Sequence, residues 1–147
     1  MYISLNKYPA DQIARLQNNA ARLVIQKKKK EKRRDHVTPL RKELHWLPVK
    51  FRCQYKIATF AYRHFEGSLA PYLSSSLCTY EPSRSLQSSN EKLLKIPKRK
   101  LKSFGQCSFI FMAPSLWNSQ PATLKNVPIL SQFKSHLKTF LFAQAFQ

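Results

Sequence analysis

The chain has 147 residues, of which 26 are Lys or Arg and seven are Asp or Glu, so its formal net charge at pH 7 is +19. This length suits one domain with a modest core, and a hydrophobic content of 43% excludes disorder throughout. The charge favours polyanionic partners, namely RNA, DNA or an anionic membrane surface. Two glycines and nine prolines favour helices interrupted by prolines over a glycine-rich β-sandwich.

The apolar pattern and the cysteines limit the compartment. No apolar run reaches the roughly 18 residues of a membrane span, and residues 1–7 lack the apolar run of a secretory signal. The cysteines are odd in number and widely spaced, which favours reduced thiols over a disulfide framework. We predict that Cys53 and Cys107 are buried and that Cys78 is exposed. The expected location is the nucleus, after synthesis in the cytoplasm, with no secretion and no membrane partner.

The first predicted element is an amphipathic helix over residues 11–27, with Asp11 as its N-cap after Pro9. Its apolar positions recur at helical spacing: Ile13, Leu16, Ala20, Leu23 and Val24. A lysine-rich block follows at 27–34, in which seven of eight residues are cations. We expect this block to fray the helix end or to form a linker.

Three more helices are predicted before residue 78, at about 39–45, 49–66 and 70–77, each near a proline. Thr38 is the expected N-cap of the first, and Gly67 is the expected C-cap of the second. The helix over 49–66 carries the expected core, because one face holds Val49, Cys53, Ile57, Phe60, Ala61 and Phe65.

Ser, Thr, Asn and Pro together dominate residues 78–90, which show no periodicity, and this predicts a loop. This loop would separate an N-terminal helical lobe, residues 1–77, from a C-terminal lobe, residues 91–147. The predicted fold class is therefore mainly α, a small helical domain with several short proline-initiated helices.

The C-terminal lobe begins with a short predicted strand near 93–97. Residues 104–112 are apolar and ambiguous between a buried helix and a strand. Pro114 is expected to start a turn of helix that carries Trp117. An amphipathic helix over 128–143 ends the lobe, with apolar positions at Ile129, Phe133, Leu137, Phe140, Leu141 and Phe142.

Catalytic and metal-binding patterns are missing from the sequence. The seven acids are scattered, so no local carboxylate cluster suits two-metal phosphoryl transfer. Neither a Cys-x-x-Cys pair nor a His-x-x-x-His pair is present to supply zinc ligands. Glycine occurs only at positions 67 and 105, which excludes a glycine-rich phosphate loop. We therefore expect no enzymatic activity, no catalytic residue, no cofactor, no metal and no small-molecule substrate.

Two basic clusters are the candidate nucleic-acid-binding segments, one at 27–34 and one within 92–102. Lysine, which is most abundant in both, is a point charge suited to phosphate, so we expect contact with the RNA or DNA backbone and little sequence specificity. An import signal, or a solvated charge run without a partner, is the alternative for the first cluster. The candidate residues are Lys27, Lys28, Lys29, Lys30, Lys32, Arg33, Arg34, Lys98, Arg99, Lys100 and Lys102.

Three aromatic residues near the basic stretches, Trp46, Tyr80 and Phe104, are candidates for stacking on unpaired bases. Trp46 and Trp117 each lie beside leucine and proline, so packing in the core is the favoured interpretation for both.

Seven sequence blocks, taken in order and spacing, resemble the C-terminal, post-polymerase region of LINE-type, jockey-like non-LTR retrotransposon reverse transcriptase polyproteins. The blocks are IARLQNNAARLV (13–24), HVTPL (36–40), LHWLPV (44–49), LAPYL (69–73), PSRSL (82–86), APSLWN (113–118) and FKSHLK (133–138). In that family the region follows the polymerase fingers, palm and thumb. The resemblance implies binding of template RNA or target DNA during target-primed reverse transcription, with the polymerase as a partner.

The resemblance also implies which activities are missing. The family's paired Asp-Asp polymerase motif and its endonuclease domain have no counterpart in these residues, so the chain is expected to be a noncatalytic fragment or a genomic remnant. The Cys-Cys-His-Cys zinc knuckle of some relatives is not matched by the three cysteines. The lysine run between blocks 13–24 and 36–40 departs from the few mixed residues usual in the family.

Two alternatives to nucleic-acid binding remain. The chain is an interaction module if the helices predicted at 11–27 and 128–143 pair between copies, giving a homo-oligomer. It is a nonfunctional remnant if it folds poorly without its polymerase neighbour, leaving leucines and phenylalanines exposed.

Overall fold

The computed structural model describes residues 7–26, 36–81, 92–98 and 108–147. The described ranges contain seven helices and no strand, which confirms the predicted mainly α fold. Leu94 of the predicted strand forms only an isolated antiparallel bridge with Thr79. The helices are α1 (Lys7–Gln26), α2 (Val37–Glu43), α3 (Val49–Phe65), α4 (Pro71–Ser74), α5 (Phe109–Asn118), α6 (Ala122–Lys125) and α7 (Leu130–Ala145).

Both N-caps predicted from side-chain type are wrong. Helix α1 begins at Lys7, so Asp11 lies inside the helix, and Pro9 stands in the first turn, where its missing N–H costs no hydrogen bond. Helix α2 begins at Val37 after His36, so Thr38 lies in the first turn. In both cases the helix begins N-terminal to the predicted capping residue, since the residues that precede it are already helical.

Helix α5 corrects the prediction that Pro114 starts a helical turn. The helix begins at Phe109, so the ambiguous apolar run is helical from 109 onwards, and Pro114 lies in its interior. A proline there removes one backbone hydrogen bond and costs about 3 kcal/mol. Complete burial of Pro114 beside Ala113 and Trp117 offsets that cost.

Two helices end with the same backbone hydrogen bonds. After α3, Gly67 has φ +70°, its N–H bonds to the His64 carbonyl, and the Ser68 N–H bonds to the Arg63 carbonyl. This Schellman arrangement confirms Gly67 as the residue that ends the helix. After α2, His45 takes the same left-handed position with φ +51°, although it is not glycine.

The core lies where α3 packs against α5 and α7. Tyr62 stacks on Phe133 with ring centroids 4.3 Å apart, and its hydroxyl donates to the Val127 carbonyl at 2.8 Å. Leu94 and Leu47 join this same core, so both predicted lobes contribute to it. The buried hydrophobic residues of the cluster are Leu47, Ala58, Ala61, Tyr62, Leu69, Leu77, Leu94, Ala113, Trp117, Leu124, Val127, Phe133, Leu137 and Leu141.

The face that α3 buries differs from the predicted one. Ala58, Ala61 and Tyr62 are buried, whereas the other predicted core positions of this helix are only half-buried: Val49, Cys53, Ile57, Phe60 and Phe65. In α7 the prediction is better, because Phe133, Leu137 and Leu141 are buried. Ile129 is exposed there, since it precedes the helix.

Helix α1 buries a different face from the one that its apolar pattern indicated. Its buried residues are Gln17, Ala21 and Ile25, on the side that meets α2 and α3. Leu16 and Leu23, from the predicted apolar face, are 68% and 62% exposed. The apolar stripe of α1, composed of Ile13, Leu16, Leu23 and Val24, therefore lies on the surface.

Candidate nucleic-acid interface

Most of the predicted nucleic-acid-binding residues lie outside the described ranges, as do Phe104 and Cys107. Lys98 is described, and its side chain is exposed. The predicted residues outside the described ranges are Lys27, Lys28, Lys29, Lys30, Lys32, Arg33, Arg34, Arg99, Lys100 and Lys102.

The beginning of the second basic cluster is fixed to helix α5. The Leu94 N–H donates to Asn118 Oδ1 at 3.0 Å, and Asn118 Nδ2 donates to the Leu94 carbonyl at 2.8 Å. The Trp117 indole N–H donates to the Lys92 carbonyl at 2.7 Å. Leu94 is 1% exposed and Trp117 is fully buried, as predicted for this tryptophan. These contacts hold the backbone of 92–94 in one place.

The other edge of the segment pairs with the chain after α4. The Tyr80 N–H donates to the Leu93 carbonyl at 2.9 Å, and the Lys95 N–H donates to the Cys78 carbonyl at 2.8 Å. The Tyr80 side chain is 48% exposed, and Cys78 is exposed, as predicted for its thiol.

The exposed Tyr80 ring therefore lies on a segment paired with a second segment that carries three exposed lysines. We call Tyr80, Lys92, Lys95 and Lys98 the Tyr80 surface. An exposed aromatic ring and exposed ammonium groups on paired segments suit a base and the phosphates on either side of it. Sequence reasoning identified Tyr80 and Lys98 but did not select Lys92 and Lys95, although the cluster it recognised begins at 92.

A second surface feature is a cavity of about 1110 Å³ between α1, the turn before α3, and helices α3, α5 and α7. Its wall is predominantly apolar and includes Trp46. This side chain is half-buried, so the prediction that Trp46 packs inside the core is wrong. Cys53 also lines the cavity and is half-buried. Three exposed cations complete the lining: Arg52, Lys56 and Lys138.

One buried polar side chain stands in the cavity wall. Gln17 is 7% exposed, and its Nε2 donates to the Leu47 carbonyl at 2.7 Å. That bond fixes which end of the amide is oxygen, and Gln17 Oε1 has no hydrogen-bond partner within the described ranges. An unpaired buried acceptor costs about 1–3 kcal/mol, so this atom is a place where a donor would be stabilising.

The left-handed His45 also lines the cavity. Its ring lies 5.4 Å from the Phe142 ring, between centroids. Residues other than glycine rarely adopt a positive φ, so the surrounding structure holds His45 in a conformation that it does not favour. This strain places an imidazole at the edge of the cavity, close to helix α7.

His64 is half-buried between α3 and α4 and adds no positive charge to the Tyr80 surface or to the cavity. Burial lowers the pKa of its imidazole, which keeps the ring neutral near pH 7. Its Nδ1 lies 2.9 Å from Ser74 Oγ, in a hydrogen bond that joins α3 to α4. Burial also raises the pKa of the Tyr55 and Tyr62 hydroxyls, and the Glu66 carboxylate contributes further to the raised pKa of Tyr62.

Within the described ranges, no three His, Cys, Asp or Glu side chains are grouped closely enough to hold a metal ion. No helix in those same ranges combines the length and the apolar character needed to cross a membrane.

Comparison of the chain with protein-family models, with curated proteins and with solved structures yields no match.

Proposed function

We propose that the chain is a noncatalytic nucleic-acid-binding module that contacts the phosphate backbone of RNA or DNA in the nucleus. The observation that carries this proposal is the Tyr80 surface, where lysines and an aromatic ring are exposed on a backbone anchored by Asn118 and Trp117. The net charge of +19 supplies a long-range attraction for the same polyanion.

Two physical terms would produce the affinity. Lysines that neutralise phosphates release condensed counterions, so the binding constant falls as salt is added. With six to eight contacts, the slope of log K against log salt concentration, here called the salt slope, is roughly −4 to −7. Stacking of a base on an exposed aromatic ring adds about 1–3 kcal/mol and tolerates any base. Because lysine is a point charge that suits phosphate better than bidentate reading of base edges, binding would have little sequence specificity.

We also propose that the module derives from the C-terminal region of a LINE-type non-LTR retrotransposon reverse transcriptase polyprotein. The resemblance of blocks 44–49 and 113–118 supports it, because they include residues with defined structural roles. Trp117 and Asn118 anchor the second basic cluster, and His45 and Trp46 form the turn after α2. Template RNA and target DNA are the ligands that this origin favours.

Fluorescence anisotropy with a labelled single RNA strand and a labelled DNA duplex, repeated at several salt concentrations, tests the proposal. The variant Lys95→Ala with Lys98→Ala is compared with Lys42→Ala with Lys134→Ala, which removes the same charge elsewhere on α2 and α7. We expect the first pair to weaken binding more and to reduce the salt slope by about one per lost phosphate contact. Equal effects of the two pairs would show that only total charge matters.

A second set of variants tests the cluster outside the described ranges and the aromatic ring. Changing Lys27, Lys28, Lys29 and Lys30 together to Ala should weaken binding and reduce the salt slope. Tyr80→Ala should weaken binding of single strands, while Tyr72→Ala, at another exposed tyrosine, should not. Absence of binding by the wild type at physiological salt would reject nucleic-acid binding altogether.

The apolar stripe of α1 favours a second candidate function, a protein-interaction or oligomerisation module. Leu16 and Leu23 are more than 60% exposed on one helix, and Ile13 is 52% exposed beside them. An exposed apolar stripe of this kind is typical of helices that pair with another helix. Sedimentation that depends on protein concentration but hardly on salt would support this candidate.

A further inference from the structure

We propose that the cavity beside Trp46 accepts one unpaired base of a single nucleic-acid strand, whose neighbouring phosphates lie on Arg52, Lys56 and Lys138. This inference rests on the proposed function and adds a second contact point, distant in sequence from the Tyr80 surface. It predicts that the module prefers single strands to duplexes.

The size and the wall of the cavity suit a base. Its volume of about 1110 Å³ is slightly above the roughly 300–1,000 Å³ of pockets that hold small organic ligands, so the cavity has room for a base. The wall is mostly apolar and contains the aromatic side chains Trp46, Tyr55 and Phe109. A planar, weakly hydrated base loses little by leaving water for such a wall, whereas a phosphate loses much.

Gln17 is the buried polar side chain in the cavity wall. Its Oε1 is a buried acceptor without a partner in the described ranges, while its Nε2 is already bonded to Leu47. Every nucleobase carries at least one N–H donor, and in an unpaired base that donor is available. Because Oε1 exposes less than 1 Å², a base in the cavity reaches this acceptor only when the Gln17 side chain rotates toward it.

The charges at the cavity fit the flanking backbone. Arg52 and Lys56 are one helical turn apart on α3, and Lys138 approaches from α7. All three are exposed, so their charges remain in water, where phosphates would also remain. In a duplex the bases are stacked and paired, and extruding one costs several kcal/mol, which makes the cavity selective for single strands.

The thiol of Cys53 reports on occupancy, because this half-buried side chain lines the cavity. The experiment measures alkylation of Cys53 and of Cys78 by mass spectrometry, while anisotropy records binding of the same strands. The ligands are oligothymidylate, an all-abasic DNA strand of the same length, a DNA duplex, free thymidine monophosphate and an acidic amphipathic peptide. The abasic strand keeps the phosphates and lacks the bases, so it isolates the contribution of the base.

We expect oligothymidylate to slow the alkylation of Cys53, while the abasic strand, the duplex and the mononucleotide leave it unchanged. The abasic strand should also bind about tenfold more weakly, as expected for the loss of a stacked base. Lys56→Gln with Lys138→Gln should reduce protection of Cys53, whereas Lys42→Gln with Lys134→Gln, a matched pair that does not line the cavity, should not. These surface changes leave the core intact, so a loss of protection does not reflect unfolding.

Three outcomes would overturn the inference. If oligothymidylate binds but Cys53 reacts at its free rate, the cavity is not the base site, and the proposed function stands. Equal protection by the abasic strand or the mononucleotide would show that the cavity does not require a base within a strand. Protection by the acidic peptide alone would assign the cavity to a protein partner. If no strand binds at all, the proposed function itself fails.

Discussion

Asn118 pairs with both backbone hydrogen-bonding groups of Leu94, accepting from its N–H at 3.0 Å and donating to its carbonyl at 2.8 Å. The side-chain amide of Asn118 thus forms the two hydrogen bonds that a neighbouring strand would otherwise form with Leu94, which is 1% exposed. Without it, the peptide groups of Leu94 would lack these partners at a buried position. The pairing explains how this extended segment, whose other edge pairs with residues 78–80, packs against a helical core.

The variant Asn118→Leu should therefore be clearly destabilised. It leaves two buried peptide groups without their partner, at about 1–3 kcal/mol for each group. Urea denaturation measures the loss. Asn19→Leu, the same change at an exposed position of α1, should shift the free energy of unfolding by less than about 0.5 kcal/mol. Similar small shifts for both variants would mean that the Asn118 contacts contribute little.

Tyr62→Phe should destabilise the protein by about 1 kcal/mol, because it removes the hydroxyl that donates to the Val127 carbonyl and keeps the stacked ring. Tyr72→Phe is the matched control, since this tyrosine is 74% exposed. Thermal unfolding of both variants provides the comparison. An unchanged melting temperature for Tyr62→Phe would indicate that water replaces the missing donor.

Gly67→Ala should destabilise the protein by about 1 kcal/mol. Gly67 has φ +70°, and a Cβ atom there would meet no atom within 4 Å, so the cost arises from the backbone conformation alone. His45→Gly is the reciprocal change at the end of α2, and it should stabilise by a similar amount or less, since the contact with Phe142 is lost. Chemical denaturation of both variants tests the pair.

Stability should fall as the pH is lowered through about 6.5, in part because of His64. Burial lowers the pKa of its imidazole in the folded protein, so the unfolded chain binds more protons in this range. The stabilising contribution is complete above the unfolded pKa and is lost below it. His64→Asn should reduce the difference in melting temperature between pH 7.5 and pH 5.5, values chosen to bracket the ordinary histidine pKa of about 6.5.

The control for this pH dependence is His136→Asn, at an exposed position of α7. It should retain the wild-type difference between the two pH values. If His64→Asn also retains it, the pH dependence comes from other groups, and burial of His64 has no measurable energetic consequence.

The variant Leu16→Gln with Leu23→Gln tests the apolar stripe of α1. Both side chains are exposed, so we expect a change of less than about 0.5 kcal/mol in the stability of the monomer. Any self-association should decrease, as measured by sedimentation. Leu137→Ala, at a fully buried leucine, should instead cost about 2–5 kcal/mol. Unchanged association in the Gln variant would remove the stripe from the interaction hypothesis.

The sequence by itself determined the features that depend on neighbouring residues. Apolar spacing identified α3 and α7 and three of the buried positions of α7, and the glycine at 67 identified the end of α3. These predictions succeed because helical periodicity and the left-handed preference of glycine are local properties. The same reasoning indicated the positive charge and the polyanionic partner that we propose.

The tertiary structure alone decided which surfaces meet. Helix α1 buries Gln17 and exposes Leu16, because α2 and α3 cover one side of it and the apolar pattern does not say which side is covered. Burial in the core keeps Pro114 inside a helix against its local preference. The pairing of Asn118 with Leu94 and the cavity beside Trp46 join residues distant in the chain. Such contacts depend on packing between elements, a property that local spacing and propensity do not encode.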